Sequence, residues 1–386
     1  MTEMTDLGRR IVEEAKAARE EMVSFLMDLA AMESPSDVPE SQAPVQDYLS
    51  AALEDLDFKV RRVPGRKSGG VLLALPRDRG RGRPAQLMLG HCDTVWPVGT
   101  LETMPLVREG ERLRGPGVFD MKAGLTQMVM ALRILQRLEL QPEVTPVVLV
   151  NSDEEVGSPE SRNLIRIVSR RVIRAFIPEP AMGDEGVLKT VRKGWSQFIL
   201  SVRGKAAHAG LDPTGGASAV LALSHLVQAL HAMTDLDRGI TVNVGVVSGG
   251  TRSNVIAPSA RAEVDVRVLS NADAREMEDR ILALTSPVPG TSVEVTVQSA
   301  VPPLEGNARN QALWEACREA GRELGLALRS GVAGGGSDGN TTSQFTATLD
   351  GLGAVGAGAH AAHEFLYLDR QVERCALLAR LLLLEP

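Results

Sequence analysis

The sequence predicts an α/β protein: an open, largely parallel sheet flanked by helices, with a ferredoxin-like α+β domain inserted into it. Three observations carry this reading. Short apolar runs alternate with segments of helical period through the first half of the chain. After about residue 183 the order becomes β-α-β-β-α-β, that of a small ferredoxin-like domain. After about residue 300 the α/β style returns. The expected boundaries are therefore 1–182 and 301–386 for the large domain and 183–300 for the inserted one. A chain of 386 residues is longer than one core usually serves, in keeping with two domains.

Each element has its own signal. The N-terminal MTEMTDLGRRIVEEAKAAREEM is charged throughout and carries no apolar segment of a signal peptide. In PVQDYLSAALEDL, the residues Val45, Leu49, Ala52, Leu53 and Leu56 recur at helical spacing. GVLLAL and AQLMLG read as buried strands. Past Asp120, MKAGLTQMVMALRILQRL puts Leu125, Met128, Leu132 and Leu135 on one helix face, and VTPVVLV and VIRAFI are further apolar runs. In the inserted segment FILSVRG alternates, GGASAVLALSHLVQAL is helical, and ITVNVGVV and SARAEVDVRVL are strands. DAREMEDRILAL is again helical and SVEVTVQ completes the set. The flanks PAMGDEG and SAVPPLEG are rich in Gly and Pro, as hinges are. QALWEACREAGREL and RCALLARLLLL supply the closing helices.

Composition narrows the function. Aromatic content of 3% and a net charge of −7 argue against nucleic-acid binding, which needs stacking surfaces or a basic stripe. No run approaches the roughly 20 apolar residues of a membrane span. Cys92, Cys317 and Cys375 are too few and too scattered for a disulfide framework or a Cys-rich zinc site, so a reducing, cytoplasmic setting is expected.

The informative residues are acids. Asp153, Glu154 and Glu155 follow the apolar run Val147–Val150, and adjacent carboxylates at the end of a buried strand repel unless a positive group stands between them. His91 and Asp93, Asp120, and Glu179 each fall just past another apolar run. Ligands of open α/β sheets bind outside the carboxyl ends of the strands, so these segments can converge on one edge and surround a cation. A mixed His/Asp/Glu set without thiolate is typical of a hydrolytic metal site with an open position. At i and i+2 of a continuing strand, Asp93 can hold the His91 ring. Neighbouring Glu154 and Glu155 diverge, so one can bind metal while the other faces a water as a base.

GHCDTV, GVFDMKAG, NSDEEVGS, PEP, GKAAHAG, GGGSDG and HAAHE occur in an order that resembles the M20 metallopeptidases, the dizinc family of carboxypeptidases, aminoacylases and deacylases, and among them most the glutamate carboxypeptidase branch. The resemblance runs from about residue 20 to the end. It implies two Zn2+ ions per subunit, with Co2+ or Mn2+ as substitutes, bridged by Asp120. His91 and Glu179 would complete one ion's protein ligands, and Glu155 and His360 the other's. Glu154 would be the general base and Asp93 the orienter of His91. The family spacing of His, three residues, Glu selects His360 and leaves His363 as a neighbour. A cis peptide bond after Asp120 is also implied. The inserted lid/dimerisation domain would form a homodimer, His208 crossing to the partner subunit's site to stabilise the oxyanion, with Asn254 sharing that work or binding the substrate carboxylate. Arg267, together with Gly334, Gly335 and Ser337 of the glycine-rich motif, would grip that carboxylate. The activity implied is release of a C-terminal amino acid, glutamate first, from a small peptide. The alternative is N-acyl amino acid deacylation of the acetylornithine or succinyl-diaminopimelate type, and a non-catalytic dimeric ligand-binding protein is the rival from another class.

Overall fold

A computed structural model describes residues 4–78, 80 and 82–386 of the chain. Two compact units are formed. The larger comprises the chain as far as Thr190, Gly306–Ala333 and Ser337–Pro386; the smaller comprises Val191–Glu305 and Gly334–Gly336.

The chain opens with α1 (Asp6–Ala17), α2 (Arg19–Ala31) and α3 (Ala43–Glu54). Strands β1 (Phe58–Val63), β2 (Val71–Pro76) and β3 (Ala85–His91) follow, then the short α4 (Thr100–Thr103), β4 (Val107–Glu109) and β5 (Arg112–Arg114). Next come α5 (Ala123–Arg137), β6 (Thr145–Asn151), α6 (Arg162–Ser169), β7 (Arg174–Ile177) and β8 (Leu188–Arg192). The smaller unit holds β9 (Gly194–Arg203), α7 (Ala219–His231), β10 (Thr241–Gly249), β11 (Ser259–Val268), α8 (Asn271–Leu282) and β12 (Ser292–Val301). The chain ends with α9 (Ala308–Glu323), β13 (Ser330–Ala333), α10 (Asp338–Thr342), β14 (Ala347–Asp350), β15 (Gly356–Ala357), β16 (Phe365–Tyr367) and α11 (Leu368–Leu382).

The large sheet has the order β1-β2-β6-β3-β7-β14-β8-β13. Its centre is parallel: β3 pairs with β6 and β7, and β7 with β14. Every residue of β6 and β7 is buried, as in parallel strands covered on both faces. From β3 the chain proceeds to β6 on one side and to β7 on the other, so the strand order reverses at β3. The carboxyl ends of these three strands, His91, Asn151 and Ile177, meet at the resulting crevice. The units divide within β8, at Thr190/Val191, and at Glu305/Gly306, the second division falling inside the Gly- and Pro-rich flank SAVPPLEG.

Two features of the larger unit lie outside the sequence reading. The N-terminal stretch, read only as charged, forms α1 and α2, whose Ile11, Ala15, Met22, Phe25 and Leu29 enter the main core. A third sheet, β15-β16-β5-β4, is built from strands too short for their period to show in sequence. In the smaller unit the antiparallel order β10-β11-β9-β12 is that of the ferredoxin-like fold. Phe198, Leu200 and Val202 of β9 and Ala262, Val264 and Val266 of β11 line one face with Leu223, Leu226 and Ile281 of the two helices. The other face of β11 carries Arg261, Glu263, Asp265 and Arg267, the alternation expected of a sheet with one wet side. Among the described residues no helix is long and apolar enough to cross a membrane.

Close backbone approach fixes the segment after β7. A Cβ on Gly124 would stand 2.0 Å from the Pro178 carbonyl oxygen, and one on Gly353 would stand 2.1 Å from the same atom. Gly124→Ala is therefore expected to destabilise the protein by about 1–3 kcal/mol through overpacking, read as a lowered urea midpoint. An unchanged midpoint would contradict the pinch.

Candidate metal centre

The carboxyl ends of three parallel strands deliver the first donors. His91 closes β3, and its ring Nδ1 lies 2.9 Å from the backbone carbonyl oxygen of Asp93, which turns Nε2 toward the crevice. The Asp93 carboxylate stands farther off, 3.5 Å from Nδ1. Its work is elsewhere: it accepts hydrogen bonds from Glu154 N, Glu155 N and Ser36 Oγ, at 3.2, 3.1 and 2.7 Å. Asp93 was expected to hold the ring through its side chain; its carbonyl is the nearer partner, and the carboxylate organises the acidic turn after β6.

That turn separates the three successive acids. Asp153 faces back and accepts from Glu160 N and Ser161 N, anchoring the entry to α6. Glu154 lies with Oε2 4.0 Å from His91 Nε2. Glu155 points to the opposite side, its Oε2 3.0 Å from His360 Nε2. Glu179, after β7, brings Oε1 to 3.4 Å from His91 Nε2. Asp120 stands between, Oδ1 3.5 Å from His91 Nε2 and Oδ2 3.5 Å from His360 Nε2. The Asp120–Met121 peptide bond is cis.

Two donor triads result: His91, Asp120 and Glu179, and Asp120, Glu155 and His360, the ligand atoms within each lying within 4.8 Å of one another. Asp120 belongs to both. Asp120 Oδ1 and Glu155 Oε1 are buried without a hydrogen-bond partner. Buried carboxylate oxygens left bare in this way are satisfied by cations, and imidazole with carboxylate is the donor chemistry of divalent transition ions. The residues thus fit a pair of metal ions. His363 is exposed and belongs to neither triad. Cys92, fully buried between His91 and Asp93, has its thiol pushed up to about 12 by burial and is no thiolate ligand.

The electrostatics without metal show the same demand for positive charge. His91 is held well above its ordinary value: burial opposes its charge, but Asp120, Asp93 and Glu179 outweigh it. Asp120 and Glu155 push His360 up to about 10. Asp120 is held below the usual carboxylate range, its burial overcome by the two imidazoles. Glu154 is driven well above it, first by burial, against the pull of His91, with Glu179, Asp338 and Glu155 adding repulsion.

Supporting residues emerge that the sequence reading did not single out. Asp338, pushed up to about 6 by burial, accepts from Ser158 Oγ at 2.5 Å and Asn151 Nδ2 at 2.8 Å, tying α10 to the end of β6. Glu364, pushed up to about 7 by burial, accepts from four N–H groups around Asp120. Both lie inside motifs already noted, GGGSDG and HAAHE, but a motif does not say which way a side chain turns.

The remaining expected residues fall in two places. Ser337 belongs to the larger unit and caps α10: its hydroxyl donates to Asp350 Oδ2 and its N–H to Asn340 Oδ1. In the smaller unit, Arg267 donates from Nε to Asp265 Oδ1 at 2.8 Å and from Nη1 to the Gly334 carbonyl at 3.4 Å. Buried Arg192 donates to the carbonyls of Gly335 and Gly336, so two guanidinium groups hold the glycine strip by its oxygens. His208 is exposed, and its Nδ1 accepts from Gly210 N and Leu211 N, which leaves the ring proton on Nε2. Asn254 lies beside it through Ala209 N, which donates to the Asn254 carbonyl at 3.0 Å.

Comparison with known proteins gives the chain's family. A family model described as peptidase family M20/M25/M40 matches residues 87–384. Carboxypeptidase G2 of Pseudomonas sp. (strain RS-16) is 28% identical over 379 residues, 94% of this chain and 88% of its own. Acetylornithine deacetylase of Myxococcus xanthus is 32% identical over 260 residues, 63% of this chain and 65% of its own. Among solved structures, aminopeptidase PepT from Bacillus cereus superposes with a TM-score of 0.80 at 21% identity, covering 94% of this chain and 98% of its own.

The imidazole pairings give a signed pH dependence. The folded pKa of His360 lies above its unfolded value, so its contribution to stability is complete below about 6.5 and is lost as pH rises through about 10. In chelator-stripped protein, the melting-temperature advantage of wild type over His360→Gln is expected to shrink across that window. An advantage that stays level or grows would count against the pairing.

Proposed function

The chain belongs to peptidase family M20/M25/M40, and from that premise we propose a dizinc exopeptidase that hydrolyses the amide bond next to a free carboxylate, releasing a C-terminal amino acid. The observation that carries this is the pair of donor triads sharing Asp120 with Glu154 beside them. His91, Asp120 and Glu179 would hold one ion, and Asp120, Glu155 and His360 the other. Zinc suits the mixed imidazole and carboxylate donors, with cobalt or manganese as substitutes. Bound there, two divalent cations would polarise the scissile carbonyl and acidify a water molecule.

The chain's own groups do the rest. Glu154 takes a proton from the attacking water as the new C–O bond forms and delivers it to the nitrogen as the C–N bond breaks. Its raised affinity for a proton favours the first of these transfers, the uptake from water. Asp93 fixes the backbone from which Glu154 and Glu155 project. The His208 Nε2–H, supplied by the second subunit of a homodimer, donates to the developing oxyanion, with Asn254 assisting. Arg267 and the N–H groups of Gly334 and Gly335 receive the substrate carboxylate, the strip's carbonyls being turned away by Arg192 and Arg267. Ser337 is engaged as the cap of α10.

Similarity to carboxypeptidase G2 over 94% of the chain supports the peptidase reading, with glutamate, the expectation from the sequence motifs, as the first candidate product. Similarity to an acetylornithine deacetylase supports the second, N-acyl amino acid deacylation. Homodimerisation through the smaller unit is supported by its edge strand β10, which exposes Val246 and Val247. A cytoplasmic location accords with three free, buried cysteines.

A panel of dipeptides ending in Glu, Asp and aliphatic residues, run beside N-acetyl and N-succinyl amino acids on zinc-loaded and chelated protein, is expected to show the highest kcat/KM on C-terminal glutamate and none after chelation. Preference for the acyl amino acids would move the assignment to the deacylases. Glu154→Gln is expected to keep both metals and to lose about 10²–10⁴-fold in kcat. Near-normal turnover in that variant would rule out Glu154 as the base. Arg267→Ala is expected to raise KM about 10–100-fold with a smaller change in kcat, as for a lost charge-assisted grip on the ground-state carboxylate.

A further inference from the structure

We propose that Glu364 is a positioning residue that braces three ligand-bearing segments of the metal centre at once. The proposal rests on the two-metal reading above and goes beyond it by giving a task to a carboxylate that belongs to neither triad.

Glu364 is fully buried. Its Oε1 accepts from Phe119 N at 2.9 Å and Asp120 N at 3.1 Å; its Oε2 accepts from Gly117 N at 3.0 Å and Trp96 Nε1 at 2.8 Å. The carboxylate therefore grips the backbone of the shared ligand Asp120 itself. Trp96 sits three residues past Asp93, so the same carboxylate also ties down the loop that leaves His91 and Asp93. Its own backbone fixes the third segment. Glu364 N donates to the Ala361 carbonyl and Gly115 N donates to the Glu364 carbonyl, at 2.9 and 3.2 Å, which pins the turn carrying His360 against the Asp120 segment. His360 adopts a positive φ of 60° in that turn, and a Cβ on Gly358 would meet the Glu364 Cα at 2.9 Å. The turn is thus tightly packed at both ends.

Four donors converge on one group, and an ionised carboxylate is the side chain that only accepts. A glutamine would fill the same space yet set its NH2 against two N–H donors, whichever way the amide is turned. A role in filling space survives Glu364→Gln; a role in holding these four N–H groups does not. Groups that orient metal ligands typically carry about 10–100-fold in metal affinity when removed.

The experiment uses the full chain stripped of metal, as wild type, Glu364→Gln and Trp96→Phe. Each is titrated with Zn2+ by calorimetry and with Co2+ by visible absorption, and circular dichroism checks folding. Wild type is expected to take two ions. Glu364→Gln is expected to bind at least one of them about 10–100-fold more weakly and to shift the Co2+ bands, because the shared ligand and His360 move. Trp96→Phe removes one of the four donors and keeps the ring; it is expected to fold and to weaken zinc about threefold. A folded Glu364→Gln with wild-type zinc affinities and an unchanged Co2+ spectrum overturns the proposal. Should Glu364→Gln fail to fold, unaltered zinc affinity in Trp96→Phe overturns it equally. Wild type that takes up no pair of divalent ions sinks instead the two-metal reading beneath it, so the two failures are told apart.

Discussion

Four carboxylates, those of Asp120, Glu154, Glu155 and Glu179, converge with little exposure on two imidazoles, and this crowding of like charge is the constraint around which the larger unit is organised. In a low-dielectric setting mutual repulsion of acids is severe, and it is relieved only by protons or by cations. The histidines show the first form of relief by holding their protons far more firmly than a free imidazole does. A pair of divalent ions is the stronger form, and the bare oxygens of Asp120 and Glu155 are where such ions would be received.

The acids of this region divide by what they accept. Asp93, Asp153 and Glu364 receive backbone N–H groups and so act as fixed points of the scaffold. Asp120 and Glu155 keep oxygens that no protein donor reaches. The division explains how a run of three neighbouring acids can be tolerated after a buried strand: Asp153 turns back to the entry of α6, Glu155 joins a triad, and Glu154 stands alone beside both. The same logic extends to Asp338, whose partners are the Asn151 amide and the Ser158 hydroxyl rather than a cation.

The smaller unit follows a different principle. Its sheet buries one face and leaves the other polar, and on that polar face Arg267 is aligned by Asp265. Arg192 and Arg267 draw the carbonyls of Gly334–Gly336 toward themselves, which is why this glycine strip clusters with the smaller unit although the chain on either side of it belongs to the larger. The strip is shaped by guanidinium groups rather than by its own sequence, since glycine imposes no conformation.

The sequence by itself determined the α/β class and the inserted β-α-β-β-α-β order and pointed to the acids of the candidate site, because strand and helix periods and the placement of acids after apolar runs are local properties. It also carried the family, through motifs that each name a chemistry. The tertiary structure alone decided the rest. That the Asp93 carbonyl rather than its carboxylate is nearer the His91 ring, that Ser337 is a cap, and that Glu364 gathers four N–H groups all depend on side-chain direction across segments up to some 270 residues apart. Period and spacing record what a residue can do; the partners that choose among those possibilities arrive only when distant strands are brought side by side.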